Sequence, residues 1–337
     1  MLHTHSRLLK LLLSAVFLAG TSPLYGAEPA DPIPAVEEKK DPFTVAAEQL
    51  RNEDPLVRRQ SITELRRMRD PRVIPLLLNA LEDKAPEVRS AAANALGRQR
   101  TREAVARLRK MTEADKHPAV RQQAAGALGA IGDPAAVNTL ITALKDDALS
   151  VRFAAISALG QLRVAAAAAD LEALLRDPSA KMRRSAAAAL GQISAARSLG
   201  PLHQALTDQD DYVRLEAIRA LRRVSGPKRK DAFLPLLKDP DHRIRLEAAA
   251  LLASLGGAQW LPPVIESLRH PERQFRRQAA QILGESGGMD QALDALRKAA
   301  KTEKDAATLK VIESSISFLE RRHSREDSAT KKPEKKQ

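Results

Sequence analysis

The stretch Asp177-Pro-Ser-Ala-Lys-Met-Arg-Arg-Ser-Ala-Ala-Ala-Ala-Leu-Gly191 decides the fold, because it is one copy of a pattern that returns along the chain. An apolar residue followed by arginine stands at Val57-Arg58, Val88-Arg89, Val120-Arg121, Val151-Arg152, Met182-Arg183, Val213-Arg214, Ile244-Arg245 and Phe275-Arg276. Successive copies are 31, 32, 31, 31, 31, 31 and 31 residues apart. Eight residues after each apolar member comes a leucine: Leu65, Leu96, Leu128, Leu159, Leu190, Leu221, Leu252 and Leu283. Two positions held in phase over that length mark a stacked solenoid, in which each unit buries its apolar face only against its neighbours.

Within each copy the apolar member can be called position 0. Positions 4, 7 and 8 are then apolar or small, as in Ala155, Ala158 and Leu159 after Val151. That spacing places them on one face of an α-helix. Alanine fills positions 4 and 5 in Ala92-Ala93, Ala124-Ala125, Ala186-Ala187 and Ala248-Ala249, which lets neighbouring helices come close. Glycine at position 9 (Gly97, Gly129, Gly160, Gly191, Gly284) reads as a residue that weakens the helix near its end and helps to stop it.

A first helix lies between successive copies, as at Val73–Leu81 and Ala136–Leu144. Pro75, Pro201, Pro235, Pro262 and Pro263 fall near the starts of such helices, where the first N–H groups have no intrahelical partner. Asp-Pro or His-Pro pairs at 54–55, 117–118, 177–178, 239–240 and 270–271 mark the turn into the second helix. The expectation is an all-α solenoid of about nine helix pairs over residues 43–320. The end copies depart from the pattern: Glu64 occupies position 7, and the last copy aligns best with Val311 at position 0, a spacing of 36 with Ile312 in place of arginine. Terminal repeats face water on one side, so such departures suit caps.

Residues 1–27 read as a secretory signal. Arg7 and Lys10 precede the ten-residue apolar run Leu11–Gly20, which is short for a membrane span, and cleavage is expected after Gly26 or Ala27. An uncut anchor is the alternative, because the residue three before the cut is Leu24 or Tyr25 rather than a small one. Residues 28–42 are rich in proline and charge and read as an unpacked leader; residues 321–337 read as a basic, unstructured tail. With the signal removed, no transmembrane segment is expected, and export would place the protein outside the cytoplasm, in the periplasm.

The 337 residues contain no cysteine, which excludes disulfides, thiolate metal sites and thiol catalysis. Aromatics are only 3%, so the core must be aliphatic and alanine-rich. The net charge of +13 divides into +2 for residues 1–27, −3 for 28–42, +10 for 43–320 and +4 for 321–337, so most of the surplus belongs to the repeats.

The consensus Asp-Pro-x-Val-Arg-x-x-Ala-Ala-x-Ala-Leu-Gly in units of about 31 residues resembles HEAT repeats, in the short form first associated with phycobilisome lyases. The resemblance implies an α-solenoid whose second helices line the concave side, and a family composed mostly of binding scaffolds. It also implies an aspartate six residues before the motif arginine, and Asp83, Asp115, Asp146, Asp177, Asp208 and Asp239 stand six before Arg89, Arg121, Arg152, Arg183, Arg214 and Arg245. Asn52 and His270 replace it before Arg58 and Arg276. Pairing each arginine with its own aspartate gives a charge-assisted network that ties the repeats together. A polyanion site is the competing reading of the same row.

Some proteins of this repeat type are enzymes. Deoxyhypusine hydroxylases are similar in repeat type and hold iron through His-Glu pairs. None of His3, His5, His117, His203, His242, His270 and His323 is followed by glutamate, and no two have i, i+3 or i, i+4 spacing. The lyase reading needs a pigment-bearing partner, against which export argues. Nucleic acid is not expected either, given export and few aromatics for base stacking. No glycine-rich phosphate loop or Gly-x-Ser-x-Gly elbow is present. The expectation is a protein without catalytic residues, cofactor or metal.

Positions 2, 6 and 10 of the second helices point away from the core stripe. They carry Arg59, Arg67, Arg98, Arg184, Arg219, Arg223 and Arg277, no lysine and one acid, Glu285. Arginine without lysine suits bidentate carboxylate or phosphate contacts. Phe153, Leu215 and Leu246 are apolar at the same nominally exposed positions. The expected partner surface is therefore Arg59, Arg67, Arg98, Phe153, Arg184, Arg219, Arg223 and Arg277, for an acidic protein. The function expected is a non-catalytic, protein-binding scaffold of the cell envelope. Two alternatives stand beside it: a HEAT-like enzyme with an unrecognised site, and docking on an anionic envelope polymer or lipid.

Overall fold

The computed structural model describes residues 41–225, 230–286 and 290–330; residues 1–27, read as an export signal, most of the expected leader and residues 331–337 lie outside them. Nine helical pairs follow one another, and no strand occurs among the described residues. The first helices are α1 (Pro42–Gln49), α3 (Val73–Ala80), α5 (Val105–Ala114), α7 (Val137–Ala143), α9 (Ala168–Leu174), α11 (Leu199–Gln204), a 3₁₀ segment (Lys230–Lys238), α14 (Leu261–Ser267) and α16 (Asp290–Ala300). The second helices are α2 (Pro55–Leu65), α4 (Pro86–Arg98), α6 (Pro118–Ile131), α8 (Leu149–Gln161), α10 (Ala180–Ile193), α12 (Asp211–Ser225), α13 (His242–Ser254), α15 (Arg273–Ser286) and α17 (Ala306–Thr330). The fold is the expected all-α solenoid. Its last helix runs to Thr330, so the first ten residues of the expected unstructured tail are helical.

Local chemistry fixes these boundaries. Pro55, Pro86 and Pro118 open α2, α4 and α6, where a missing N–H costs nothing. Asp54 caps α2 by accepting from the Leu56 N–H at 2.8 Å. The helices end on a left-handed residue at position 12: Arg100, Gly132, Arg163 and Ser194, with φ of 53°, 82°, 52° and 56°. After Arg100 the Thr101 N–H reaches back to the Leu96 carbonyl at 3.0 Å, and the Val164 N–H does the same to Leu159 at 3.2 Å.

The core is the stripe read from the sequence. Val88, Ala92 and Leu96, Val120, Ala124 and Leu128, and Val151, Ala155 and Leu159 are all fully buried. The position-9 glycines have a different job from the one expected. α6 and α10 continue past Gly129 and Gly191, so glycine does not end them. Instead, each glycine is the point where the next second helix touches. A Cβ on Gly129 would lie 2.6 Å from Ala158 Cβ and 2.9 Å from its Cα; one on Gly97 would lie 2.7 Å from Ala127 Cα. Gly191 meets Ala220 and Gly284 meets Ser315 in the same way, position 9 on position 7.

This contact corrects the register of the last repeat. Ser315 takes position 7, so position 0 is Thr308, fully buried, and not Val311. The spacing from Phe275 is then 33. The sequence alignment slid by three because the capping helix replaces valine and arginine with Thr308 and Leu309.

Close glycine contacts bring successive second helices together. Open grooves remain between first helices, such as one of about 490 Å³ between α1 and α3 and one of about 460 Å³ between α9 and α11. The second helices, packed on one another through these glycines, form one layer of the stack, and that layer carries the candidate surface.

Candidate binding face

The motif arginines do not pair with the aspartate of their own turn. Arg121 is typical. Its Nη1 donates to the carbonyl of Asp115, six residues back, at 2.8 Å, while Nε and Nη2 clasp the carboxylate of Asp146 in the following repeat at 2.7 and 2.8 Å. Arg58–Asp83, Arg89–Asp115, Arg183–Asp208 and Arg214–Asp239 repeat that bidentate geometry, and Arg276 uses Glu303. Each carboxylate also accepts the N–H two residues on, as Asp146 does from Ala148 at 2.8 Å. The expected self-paired ladder is thus a chain of inter-repeat clasps along the edge where first helices turn into second ones. The Arg121 hydrogen bond holds the Asp146 carboxyl below its ordinary value against the opposing effect of burial. Glu303 is held at about 2 by Arg276.

Two links are missing. Arg152 makes no ion pair, and its buried Nε has no partner. Arg245 would need a carboxylate where His270 stands. Its Nη2 instead meets His242 Nδ1 at 2.5 Å, and the His242 and His270 rings lie 4.3 Å apart with Phe275 edge-on to both. Burial first, then Arg245 and His270, push the His242 imidazole down to about 4.

The arginines expected to form one partner surface divide into groups. Arg59, Arg67 and Arg98 are exposed and make no ion pair. Arg184 is exposed, with its guanidinium 5.2 Å from the Tyr212 ring centre, and Arg243 covers the same ring at 4.5 Å. Arg219 and Arg223 are answered by carboxylates on their own layer. Arg219 lies 3.8 Å from Glu216 and 3.9 Å from Glu247, and Arg223 lies 3.8 Å from Glu216. Arg277 reaches Asp305 at 3.5 Å. The stripe is therefore not a uniform basic face, because position 3 supplies glutamates that the count over positions 2, 6 and 10 missed.

Position 2 also lies deeper than expected. Leu215 and Leu246 are buried, at 7% and 1% exposure, since this position faces the seam between adjacent second helices. They are core residues and cannot be partner contacts in this structure. Phe153 is half-buried at the same position, under the Lys181 ammonium at 4.8 Å. It lines a groove of about 580 Å³ between α8 and α10, together with Gln122, Ser150, Ser157, Ser185 and Gln192. Only Phe153, of the expected set, enters that groove. No three histidine, aspartate or glutamate side chains among the described residues converge as a metal-binding set.

The sequence model of HEAT repeats matches residues 44–117, 107–190, 171–253 and 230–317. No curated protein matches the chain in sequence. Among solved structures, YibA of Escherichia coli is 23% identical with a TM-score of 0.57, covering 77% of this chain and 95% of that one. An engineered protein is similar at 20% identity and a TM-score of 0.48, over 83% of this chain and 89% of its own. Human deoxyhypusine hydroxylase in complex with glycerol is similar at 22% identity and a TM-score of 0.34, over 83% and 96%. With the repeat model spanning most of its length, the chain belongs to the HEAT-repeat family.

Proposed function

We propose that the protein is a non-catalytic, protein-binding scaffold of the cell envelope that holds an acidic partner on its second-helix face. The observation that carries this reading is the groove between α8 and α10. Phe153 offers an apolar surface at its base, Lys181 stands over the ring, and amide and hydroxyl side chains line the walls. An aromatic anchor ringed by hydrogen-bonding groups is the composition of a protein-docking centre. Lys181 and the exposed Arg184 make an acidic partner the better match. Placement in the envelope rests on residues 1–27, read as a cleaved export signal; intact-mass analysis of the envelope-associated protein should show the loss of about 26 residues.

The test is recovery of a stoichiometric partner from envelope extract by the parent chain beside Phe153→Ala and Lys181→Glu variants. Loss of the partner in both variants, with unchanged circular dichroism, supports the face. Retention in both sinks it. A metal or pigment that copurifies with the chain would favour the second reading, a HEAT-like enzyme, for which the contact between His242 and His270 is the one supporting observation.

A further inference from the structure

The turns that leave the second helices form the edge opposite the arginine–aspartate clasps, and two neighbouring ones carry three arginines each. Arg66, Arg67 and Arg69 follow α2; Arg98 ends α4, and Arg100 and Arg102 follow it. None of the six makes an ion pair, and five of them are exposed. Asp70 is already held by Arg72 at 2.6 Å, which leaves Glu103 as the one exposed acid of these two turns. On the opposite edge the corresponding turns carry one exposed cation each, Arg51, Lys84, Lys116, Lys145, Arg176 and Arg269, beside the clasps. The two edges therefore differ in the density of arginine, three on each of two neighbouring turns against one cation per turn.

A second observation points the same way. Arg100 occupies the left-handed C-terminal position that Gly132 fills in the next repeat. A side chain in that conformation is strained, as at Arg163 and Ser194. Arginine presents a planar, weakly hydrated fork that matches phosphate oxygens bidentately, which lysine does not. None of the large exposed apolar residues, Leu56, Leu149, Tyr212 and Phe318, belongs to these turns. Without an apolar anchor the edge lacks the centre that a protein interface needs. A row of arginine forks along one edge fits a plane of phosphates.

We propose that this edge docks the solenoid on an anionic phospholipid surface through lipid phosphates, leaving the second-helix face free for a partner. Arg67 and Arg98 then serve the edge and not the groove at Phe153. A basic residue near such a surface contributes about 1 kcal/mol, so three together change the partition coefficient about a hundredfold at low salt.

The test is co-sedimentation of the full chain with vesicles of 30% phosphatidylglycerol in phosphatidylcholine, beside vesicles of phosphatidylcholine alone. The parent should sediment with the anionic vesicles only, and less as salt rises. The triple variant Arg98→Gln, Arg100→Gln, Arg102→Gln should lose about a hundredfold in partitioning, the sum of three such contributions. Arg66→Gln, Arg67→Gln, Arg69→Gln is an independent second variant should the first fold poorly by circular dichroism. Lys84→Gln, Lys116→Gln, Lys145→Gln removes the same charge from the other edge and should bind nearly as the parent does. Equal loss in the arginine and lysine triples, or no binding by the folded parent at low salt, would overturn the proposal. Capture of soluble polyglutamate by the same arginines without vesicle binding would also overturn it and assign the edge to acidic protein. The Phe153→Ala variant should bind vesicles as the parent does, so failure of the partner face and failure of the edge are separately visible.

Discussion

Arg121 holds Asp146 of the following repeat with two parallel hydrogen bonds of 2.7 and 2.8 Å, and at the same time bonds the Asp115 carbonyl of its own turn. One side chain thus closes a turn and joins two repeats. Arg121→Ala should strand a mostly buried carboxylate and cost about 1–3 kcal/mol. Arg152, with no carboxylate in its grip, should cost less than about 1 kcal/mol when replaced by alanine, the level of a weak surface contact. Urea midpoints of the two variants make the comparison. Equal midpoints would show that the inter-repeat clasp contributes nothing particular.

Two glycines three residues apart on α6 should respond in opposite directions. Gly129→Ala would drive a methyl to within 2.6–2.9 Å of Ala158, backbone included, and should cost about 1–3 kcal/mol, the range for overpacking. Gly126 has nothing within 4 Å of a built Cβ, so Gly126→Ala should stabilise the helix by about 0.5–1 kcal/mol. Thermal midpoints moving the same way in both would refute the close-approach role.

Arg163 shares the left-handed conformation of Arg100 and Gly132. Arg163→Gly should raise stability by up to about 1 kcal/mol by removing the strain of a side chain at positive φ. A midpoint that falls would mean the arginine side chain supports the turn in a way that offsets its strain.

The dependence of stability on pH should have two parts. His242 has its folded value lowered from 6.5 to about 4, so between those limits the unfolded chain binds more protons and stability falls as the solution is acidified. Asp146 and Glu303 are lowered from the ordinary carboxylate range, Glu303 from 4.5 to about 2. Their contribution is present above the unfolded value and is lost as pH drops toward 2. Urea midpoints measured from pH 7 to pH 3 should therefore decline first below about 6.5 and more steeply below about 4.5, the two unfolded values. His242→Gln should flatten the first part and leave the second; an unchanged first decline would assign it to another group.

Periodicity alone carried most of the fold, because Val88, Ala92 and Leu96 and their counterparts sit on one helical face in any conformation compatible with burial. The clasp partner was a different matter. With a period of 31, a carboxylate six residues before one arginine is also 25 after the previous one, so spacing cannot choose between Asp115 and Asp146 for Arg121. The candidate surface was legible only in part for a similar reason. Positions 2, 6 and 10 were counted as one stripe, yet stacking buries Leu215 and Leu246 and brings Glu216 and Glu247 against Arg219.

What the sequence by itself determined is the repeating unit: its length, its core stripe, and the arginine and aspartate that recur with it. These follow from local helical geometry and from the need of each unit to bury its face on another. Only the tertiary structure decided which repeat each arginine holds, why position 9 is glycine, that position 0 of the last repeat is Thr308, and that the arginines after α2 and α4 are left without ion pairs. All four are relations between neighbouring units. Identical units admit several pairings of equal spacing, and the packing distance between second helices selects one of them.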